Sequence, residues 1–331
     1  MAKDIDNMRP KEMMDKATHL RKISGISFFL AFKDDFITTP CPACGSDGDF
    51  YFKKFGFTHK KCPECKTLFV SPRPTDRLLT EFYNKYEAPK FWTQLLLNTN
   101  SERKRVQYEP RVKRMIKVIQ PHLPEHSIAV DIGAGSGAFA LALKKQNIFD
   151  KVIALDVSSD CIEKCASLGL DTVFGTIDDI GNNSCNLLSM NDLIEHLFEP
   201  KHFIETCYQK LKPGGIISIA CPNGEGFDFK LMKRDTVNIH PPEHLQYFNP
   251  KSIELLLKEC RFKVLSLETP GILDVQIIER EQVEKNVDLT NNQYIDFLLN
   301  ECPDNVRRNF QQFLSDNKLS SHLQVIAMKM E

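Results

Sequence analysis

Four cysteines carry the first chemistry in this sequence. Cys41-Pro42-Ala43-Cys44 and Cys62-Pro63-Glu64-Cys65 are two C-x2-C knuckles separated by 17 residues, a zinc-ribbon spacing. Each knuckle folds a tight turn that aims two thiolates at one point, and two knuckles on neighbouring hairpins complete a tetrahedron around Zn²⁺. Four sulfur ligands leave no open coordination position, so this zinc is expected to be structural. A redox C-x-x-C is the weaker rival, because that motif occurs once and beside a βαβ unit. The other seven cysteines, Cys161, Cys165, Cys185, Cys207, Cys221, Cys260 and Cys302, lie singly in apolar surroundings and read as small core hydrophobes.

A second constellation runs from Val130 to Gly137. Gly133, Gly135 and Gly137 let the backbone turn sharply and approach a ligand without Cβ obstruction. The loop is G-x-G-x-G with Asp131 two positions before its first glycine. The G-x-G-x-x-G of dinucleotide enzymes and the P-loop lysine are both missing, which disfavours NAD and ATP. Asp156 ends the next apolar run, where a carboxylate can accept both hydroxyls of a ribose. Two further segments hold titratable groups. Asp192, Glu195 and His196 have the i, i+3, i+4 spacing of one helical face, and His240-Pro241-Pro242-Glu243-His244-Leu245-Gln246-Tyr247-Phe248 concentrates two histidines and a glutamate.

Positioning these residues requires alternating strands and helices, and the pattern supplies them. Strands are predicted at 127–131, 151–156, 171–174, 185–190, 215–220 and 262–267, with helices at 136–146, 159–168, 201–211 and 251–259. Such alternation makes an α/β, doubly wound, mostly parallel sheet covered on both faces. The last strand is expected at 323–329, after a helical insertion over about 273–317. Before the sheet come an N-terminal helical segment (1–36), the zinc ribbon (37–72) and a helical connector and lid (73–126), with the sheet domain filling 127–331. The connector's basic run, Arg103, Lys104, Arg105, Arg111, Lys113 and Arg114, reads as a solvated helix face over packed aromatics rather than a substrate clamp.

Composition narrows the partners. Lys+Arg 43 against Asp+Glu 44 leaves a net charge of −1, without the basic surplus expected of a protein living on phosphate contacts, so nucleic acid is disfavoured. No apolar run approaches a membrane span, and with no export signal the expected compartment is the cytoplasm.

Together the blocks resemble the class I S-adenosylmethionine-dependent methyltransferases, over about Ser127 to Leu267. They are the Asp131–Gly137 loop, Asp156, the segment Gly175 to Asp179, the stretch Ser189 to His196, and Leu211-Lys212-Pro213-Gly214-Gly215. The resemblance implies a seven-stranded Rossmann-like sheet with its last strand antiparallel, and S-adenosylmethionine as cofactor. It places Gly133, Gly135 and Gly137 under the amino-acid half of that cofactor, Asp131 near its amino group, Asp156 on the ribose and Asp178 facing the adenine amino group. Asn191-Asp192 stand where relatives usually carry an aromatic or acidic residue at the end of the fourth strand, and Thr176 stands where many carry an acid.

Methyl transfer from a sulfonium is an in-line displacement, so an enzyme aligns the acceptor and removes its proton. The E-H-L-x-Y-F segment at Glu243 is similar to that of sugar C-methyltransferases, which likewise carry an N-terminal cysteine-rich zinc module. In that likeness Glu243 and His244 form the acid/base pair, His244 being the leading base and His196 a second candidate. Asp192, Glu195 and His196 also look like the Mg²⁺ cluster of quinone O-methyltransferases. The insertion resembles that of methyltransferases encoded with surface-polysaccharide genes. The acceptor implied is a small molecule, a nucleotide-linked sugar or glycan precursor. The alternatives are a zinc-ribbon rRNA base methyltransferase and a non-catalytic methyltransferase-like scaffold.

Overall fold

The protein is described here by a computed structural model covering residues 10–99, 101, 104–283, 289 and 292–330. Among these, the strands are β1 Asp49–Lys54, β2 Phe57–Lys61, β3 Leu68–Val70, β4 Ile128–Ile132, β5 Lys151–Asp156, β6 Asp171–Phe174, β7 Cys185–Asn191, β8 Leu211–Pro222, β9 Gln246–Tyr247, β10 Phe262–Glu268 and β11 His322–Lys329.

Seven strands form the large sheet in the order β10-β11-β8-β7-β4-β5-β6. β4 pairs in parallel with both β5 and β7, whereas β11 runs antiparallel to β8 and β10. Central strands such as β4 and β7 are buried on both faces and read as continuous apolar runs for that reason. One apolar layer packs the helices Glu109–Ile119 and Ala138–Lys144 against the sheet through Val112, Met115, Phe139 and Leu143. The other packs Pro200–Lys210 and Pro250–Glu259 through Ile204, Ile253 and Leu256. The chain starts mid-sheet at β4, winds out to β6 and returns to β7. The carboxyl ends of β4 and β7 therefore part at a topological switch point, where such sheets bind ligands. Asp131 and Asn191 stand there.

A second sheet, β1-β2-β3-β9, is the ribbon. Its first three strands lie between the two knuckles and just beyond the second. The fourth comes from far along the chain: Leu68 pairs with Tyr247 and Phe69 with Gln246. Helix Lys11–Phe32 lays Phe28 into an aromatic cluster with Phe57 and Phe82 and so ties the N-terminal segment to the ribbon.

The connector comprises the helices Asp76–Lys85, Glu87–Asn98 and Glu109–Ile119. The expectation of a solvated basic face is corrected here. Lys113 is exposed, but Arg111 is only 5% exposed and Arg114 is half-buried, because the start of the insertion covers that face. Arg103 lies outside the described residues. The insertion is helical as expected, with Asp274–Val283, Gln293–Asn300 and Asp304–Asp316. Of the seven single cysteines six are buried, and Cys302 is half-buried. Among the described residues no helix is long and apolar enough to cross a membrane.

Candidate functional site

The ribbon folds its two knuckles alike. Gly45 N–H donates to the Cys41 carbonyl at 2.9 Å and Lys66 N–H to that of Cys62 at 3.1 Å, each from a residue with positive φ (74° and 63°). Cys41 N–H reaches Ser46 and Cys62 N–H reaches Thr67, both at 2.9 Å. The turns bring all four sulfurs within 4.8 Å of one another, with Cys41–Cys65, Cys44–Cys62 and Cys44–Cys65 at 3.5 Å. A tetrahedral zinc with ligands at about 2.3 Å needs sulfurs about 3.8 Å apart, so Cys41, Cys44, Cys62 and Cys65 fit that ion. The two thiols Cys41 and Cys65 share a proton, their hydrogen bond pulling Cys65 down and pushing Cys41 up, so binding a metal would release that proton.

The glycine loop leaves β4 with Gly133 N–H and Ala134 N–H bonded to the Leu155 carbonyl at 2.8 and 3.1 Å. Gly137 has φ +74°, and a Cβ there would lie 2.9 Å from the Cys165 sulfur. Gly135 has φ +53° and open space within 4 Å of where a Cβ would sit, so the loop presents bare backbone to the cleft. Asp156 fixes this loop, one carboxylate oxygen accepting Gly135 N–H and the other Ser158 N–H, both at 2.8 Å. Beneath it Asp131 is 2% exposed and accepts the Ser189 hydroxyl at 2.8 Å and the Asn191 amide at 3.5 Å. Burial pushes the Asp131 carboxyl up to about 7.

The cleft at the switch point has a volume of about 200 Å³ and is lined by Asp131, Gly133, Gly135, Asn191, His196 and His244 among others. Gly137, Asp156, Asp178 and Glu243 are not in its wall. Asp178 stands exposed on a single 3₁₀ turn, Ile177–Asp179, whose cap is built by Thr176 and Asp179. Glu243 is buried and meets Arg21 at 3.4 Å, and Arg21 stacks over Trp92.

Segments 194–196 and 240–248 are joined by main-chain geometry. Leu245 N–H donates to the Glu195 carbonyl at 2.9 Å, and the Gln246 amide donates to the Ile194 and Leu197 carbonyls at 2.8 Å each. The His196 and His244 rings consequently sit 4.5 Å apart, edge to face. His244 Nδ1 is 2.9 Å from the Asn238 carbonyl, so Nδ1 carries the proton and Nε2 keeps the lone pair. Burial, then the neighbouring His196, holds His244 well below the ordinary imidazole value, and burial takes His196 down to about 4. Both are neutral at pH 7, and of the two His244 keeps an unengaged lone pair, on Nε2.

The shared helical face expected for Asp192, Glu195 and His196 does not form. Asp192 has φ +54° and only one 3₁₀ turn follows, so its carboxylate turns away to His322 Nε2 at 2.7 Å. Glu195, His196 and His244 are the donors that gather instead, and both Glu195 carboxylate oxygens are buried without a partner. Three residues of the site come from distant sequence. Tyr83 OH meets His196 Nδ1 at 2.9 Å, Arg111 donates to the Asn191 side chain at 2.8 Å, and His322 pairs with Asp192. His322 had a signal: a polar residue opening an antiparallel last strand must lie at the carboxyl ends of its parallel neighbours.

Residues 102–267 match the family described as methyltransferase domain. No protein of curated function matches the sequence. Among solved structures, a SAM-dependent methyltransferase from Archaeoglobus fulgidus is 20% identical, with 69% of this chain and 98% of that one covered and a TM-score of 0.45. An S-adenosylmethionine-dependent methyltransferase from Mesorhizobium loti is 14% identical, covering 68% of this chain and 100% of that one, with a TM-score of 0.45. The family match spans the glycine loop, strands β4 to β9 and most of the wall of the switch-point cleft. The chain therefore belongs to the methyltransferase-domain family and is an S-adenosylmethionine-dependent methyltransferase.

Proposed function

We propose that the switch-point cleft binds S-adenosylmethionine along the glycine loop, and that His244 takes a proton from a small acceptor, a nucleotide-linked sugar or other glycan precursor. The cofactor supplies an electrophilic methyl group on a sulfonium. The chain does the rest. Gly133, Gly135 and Gly137 allow backbone approach to the amino-acid half, with Asp131 facing its amino group and Asn191 steadying Asp131. Asp156 has lone pairs left for the ribose hydroxyls after accepting two N–H groups. Asp178 stands at the exposed rim beyond β6, open to an adenine amino group.

The observation that carries the base assignment is the bond from His244 Nδ1 to the Asn238 carbonyl, which leaves Nε2 free in a desolvated ring lining the same cleft as Gly135. His196, held by Tyr83, packs against that ring and can relay or orient. Glu243 acts through Arg21 in this reading, not by touching His244. The sugar acceptor rests on the likeness of the Glu243–Phe248 segment to sugar C-methyltransferases.

In the same reading the four cysteines hold a structural zinc. The ribbon then serves as a clamp on the base. Asn249 donates to the Cys65 carbonyl at 2.9 Å and Lys251 to that of Glu64 at 2.7 Å, and β9 begins two residues after His244. The units 1–36, 37–72, 73–126 and 127–331 would thus work as one machine.

The test is incubation with S-adenosylmethionine and a panel of nucleotide sugars, read by mass spectrometry. One methyl should be added to a panel member by the wild type, and His244→Gln should lower the rate by about 10²–10⁴ at unchanged cofactor affinity. An undiminished rate in His244→Gln would remove the base assignment.

A further inference from the structure

A second pocket, of about 120 Å³, opens beside the cofactor cleft and shares Gln107, Asn238 and His322 with it. Its walls are apolar, formed by Pro110, Pro270, Ile272, Leu273 and Ile277, yet two guanidinium groups enter it, Arg111 and Arg114. They stand three residues apart on helix Glu109–Ile119, while Val112, Met115 and Ile119 on its other side are buried in the core. Arg111 is 5% exposed. Its guanidinium gives one hydrogen bond to Asn191 and lies 5.5 Å from the Tyr108 ring.

Among the described residues, neither arginine lies within ion-pair distance of a carboxylate. Arg114 Nε is buried without a hydrogen-bond partner, as is Gln107 Oε1 beside it. Asp274, in the same wall, is no counter-ion, because it is taken up by Ser320, Ser321 and Gln311. His322 is likewise committed to Asp192. Asp192 and Glu195 face Arg111 and Glu268 faces Arg114, none of them within ion-pair distance, and two partly desolvated cations on one wall remain costly unless an anion joins them directly. Burial, then the charge of Arg111, presses Arg114 below its ordinary value against the opposing pull of Glu268.

We infer that this pocket receives a phosphate or diphosphate group of the methyl acceptor, read by the paired forks of Arg111 and Arg114. Guanidinium matches such oxyanions with two parallel hydrogen bonds, which an ammonium cannot copy. The apolar walls strengthen those bonds by excluding water, and the shared rim leads from the anion to His244 through Asn238. The inference rests on the cofactor reading above and adds the acceptor's charge to it. It also explains how a chain with net charge −1 can select a phosphorylated small molecule: the positive charge is local and buried.

The test uses the full chain and inorganic pyrophosphate as probe, by calorimetry at low ionic strength with S-adenosylhomocysteine saturating. Wild type should bind pyrophosphate. Arg114→Gln should weaken it at least about tenfold, Arg114→Lys by less, and Lys113→Gln, an exposed neighbour on the same helix, should leave it unchanged. S-adenosylhomocysteine affinity should be the same in all four proteins. Equal losses in Arg114→Gln and Lys113→Gln, or no binding by wild type, would overturn the pocket assignment. So would displacement of S-adenosylhomocysteine by pyrophosphate, because the arginines would then be reading the cofactor's carboxylate. Failure of wild type to bind S-adenosylhomocysteine would instead remove the cofactor-site reading, and the pyrophosphate comparison would be made on the free chain.

Discussion

The buried Asp131 makes cofactor affinity depend on pH in a way that can be worked out beforehand. Its carboxyl sits at about 7 instead of the ordinary 3.8, burial being the first cause. The free cleft therefore holds a proton on Asp131 throughout the mildly acid range. A cationic amino group placed against it must displace that proton, so affinity rises with pH up to about 7 and is flat beyond. If binding returns Asp131 to its ordinary value, S-adenosylhomocysteine binds about thirtyfold more weakly at about pH 5.5 than at about pH 8, releasing about 0.9 proton at about pH 6. The cleft histidines do not blur this window, since His196 is held at about 4 and His244 well below its ordinary value, and the contribution of Glu195, raised well above 4.5 in the same wall, is common to wild type and Asp131→Asn. Calorimetry across the range, in two buffers of different ionisation heat, gives both affinity and proton count. Asp131→Asn should flatten the profile. A wild-type affinity independent of pH, or a slope as steep in Asp131→Asn as in the wild type, would refute the placement of the amino group against Asp131.

Two further outcomes follow from the ribbon and from Glu195. Cys62→Ser, or exhaustive chelation, should remove stoichiometric zinc and lower both the melting temperature and methyl transfer, because structural zinc supplies on the order of 10 kcal/mol of local folding energy. Zinc-free protein with an unchanged melt and rate would contradict the clamp. Burial, then the charge of Asp192, raises Glu195 well above its ordinary 4.5, so the folded chain keeps a proton that the unfolded chain has lost. Wild type must then lose stability as pH rises above about 4.5, and Glu195→Gln should become increasingly the more stable protein until the folded-state carboxyl itself ionises. Parallel melting curves for the two would show that Glu195 carries no such cost.

What was legible in the sequence is what local pattern encodes. The two knuckles, the glycine loop, Asp156 and the alternation that builds the sheet all depend on neighbours within a few residues, and they appear where expected. What was not legible depends on pairing across the chain. Nothing near Tyr247 announces that it will pair with Leu68, yet that ladder makes the ribbon part of the His244 segment. The spacing of Asp192, Glu195 and His196 suggested a helix, but a positive-φ residue at Asp192 sent its carboxylate to His322. Arg111 and Arg114 read as a solvated face because the sequence does not show that residues 270–274 fold over them. Glu243 and His244 are adjacent in the chain, yet Glu243 is drawn to Arg21 and the histidine to Asn238.

The central claim is that the glycine loop and Asp156 hold S-adenosylmethionine at the switch point of the sheet. Calorimetric titration of S-adenosylhomocysteine into the full chain and into Asp156→Ala tests it most directly. The account predicts a single site in the wild type. It also predicts at least about a hundredfold loss in the variant, because two charge-assisted hydrogen bonds of about 1.5–3 kcal/mol each disappear. Absence of binding by the wild type, or equal affinity in the two proteins, would contradict it.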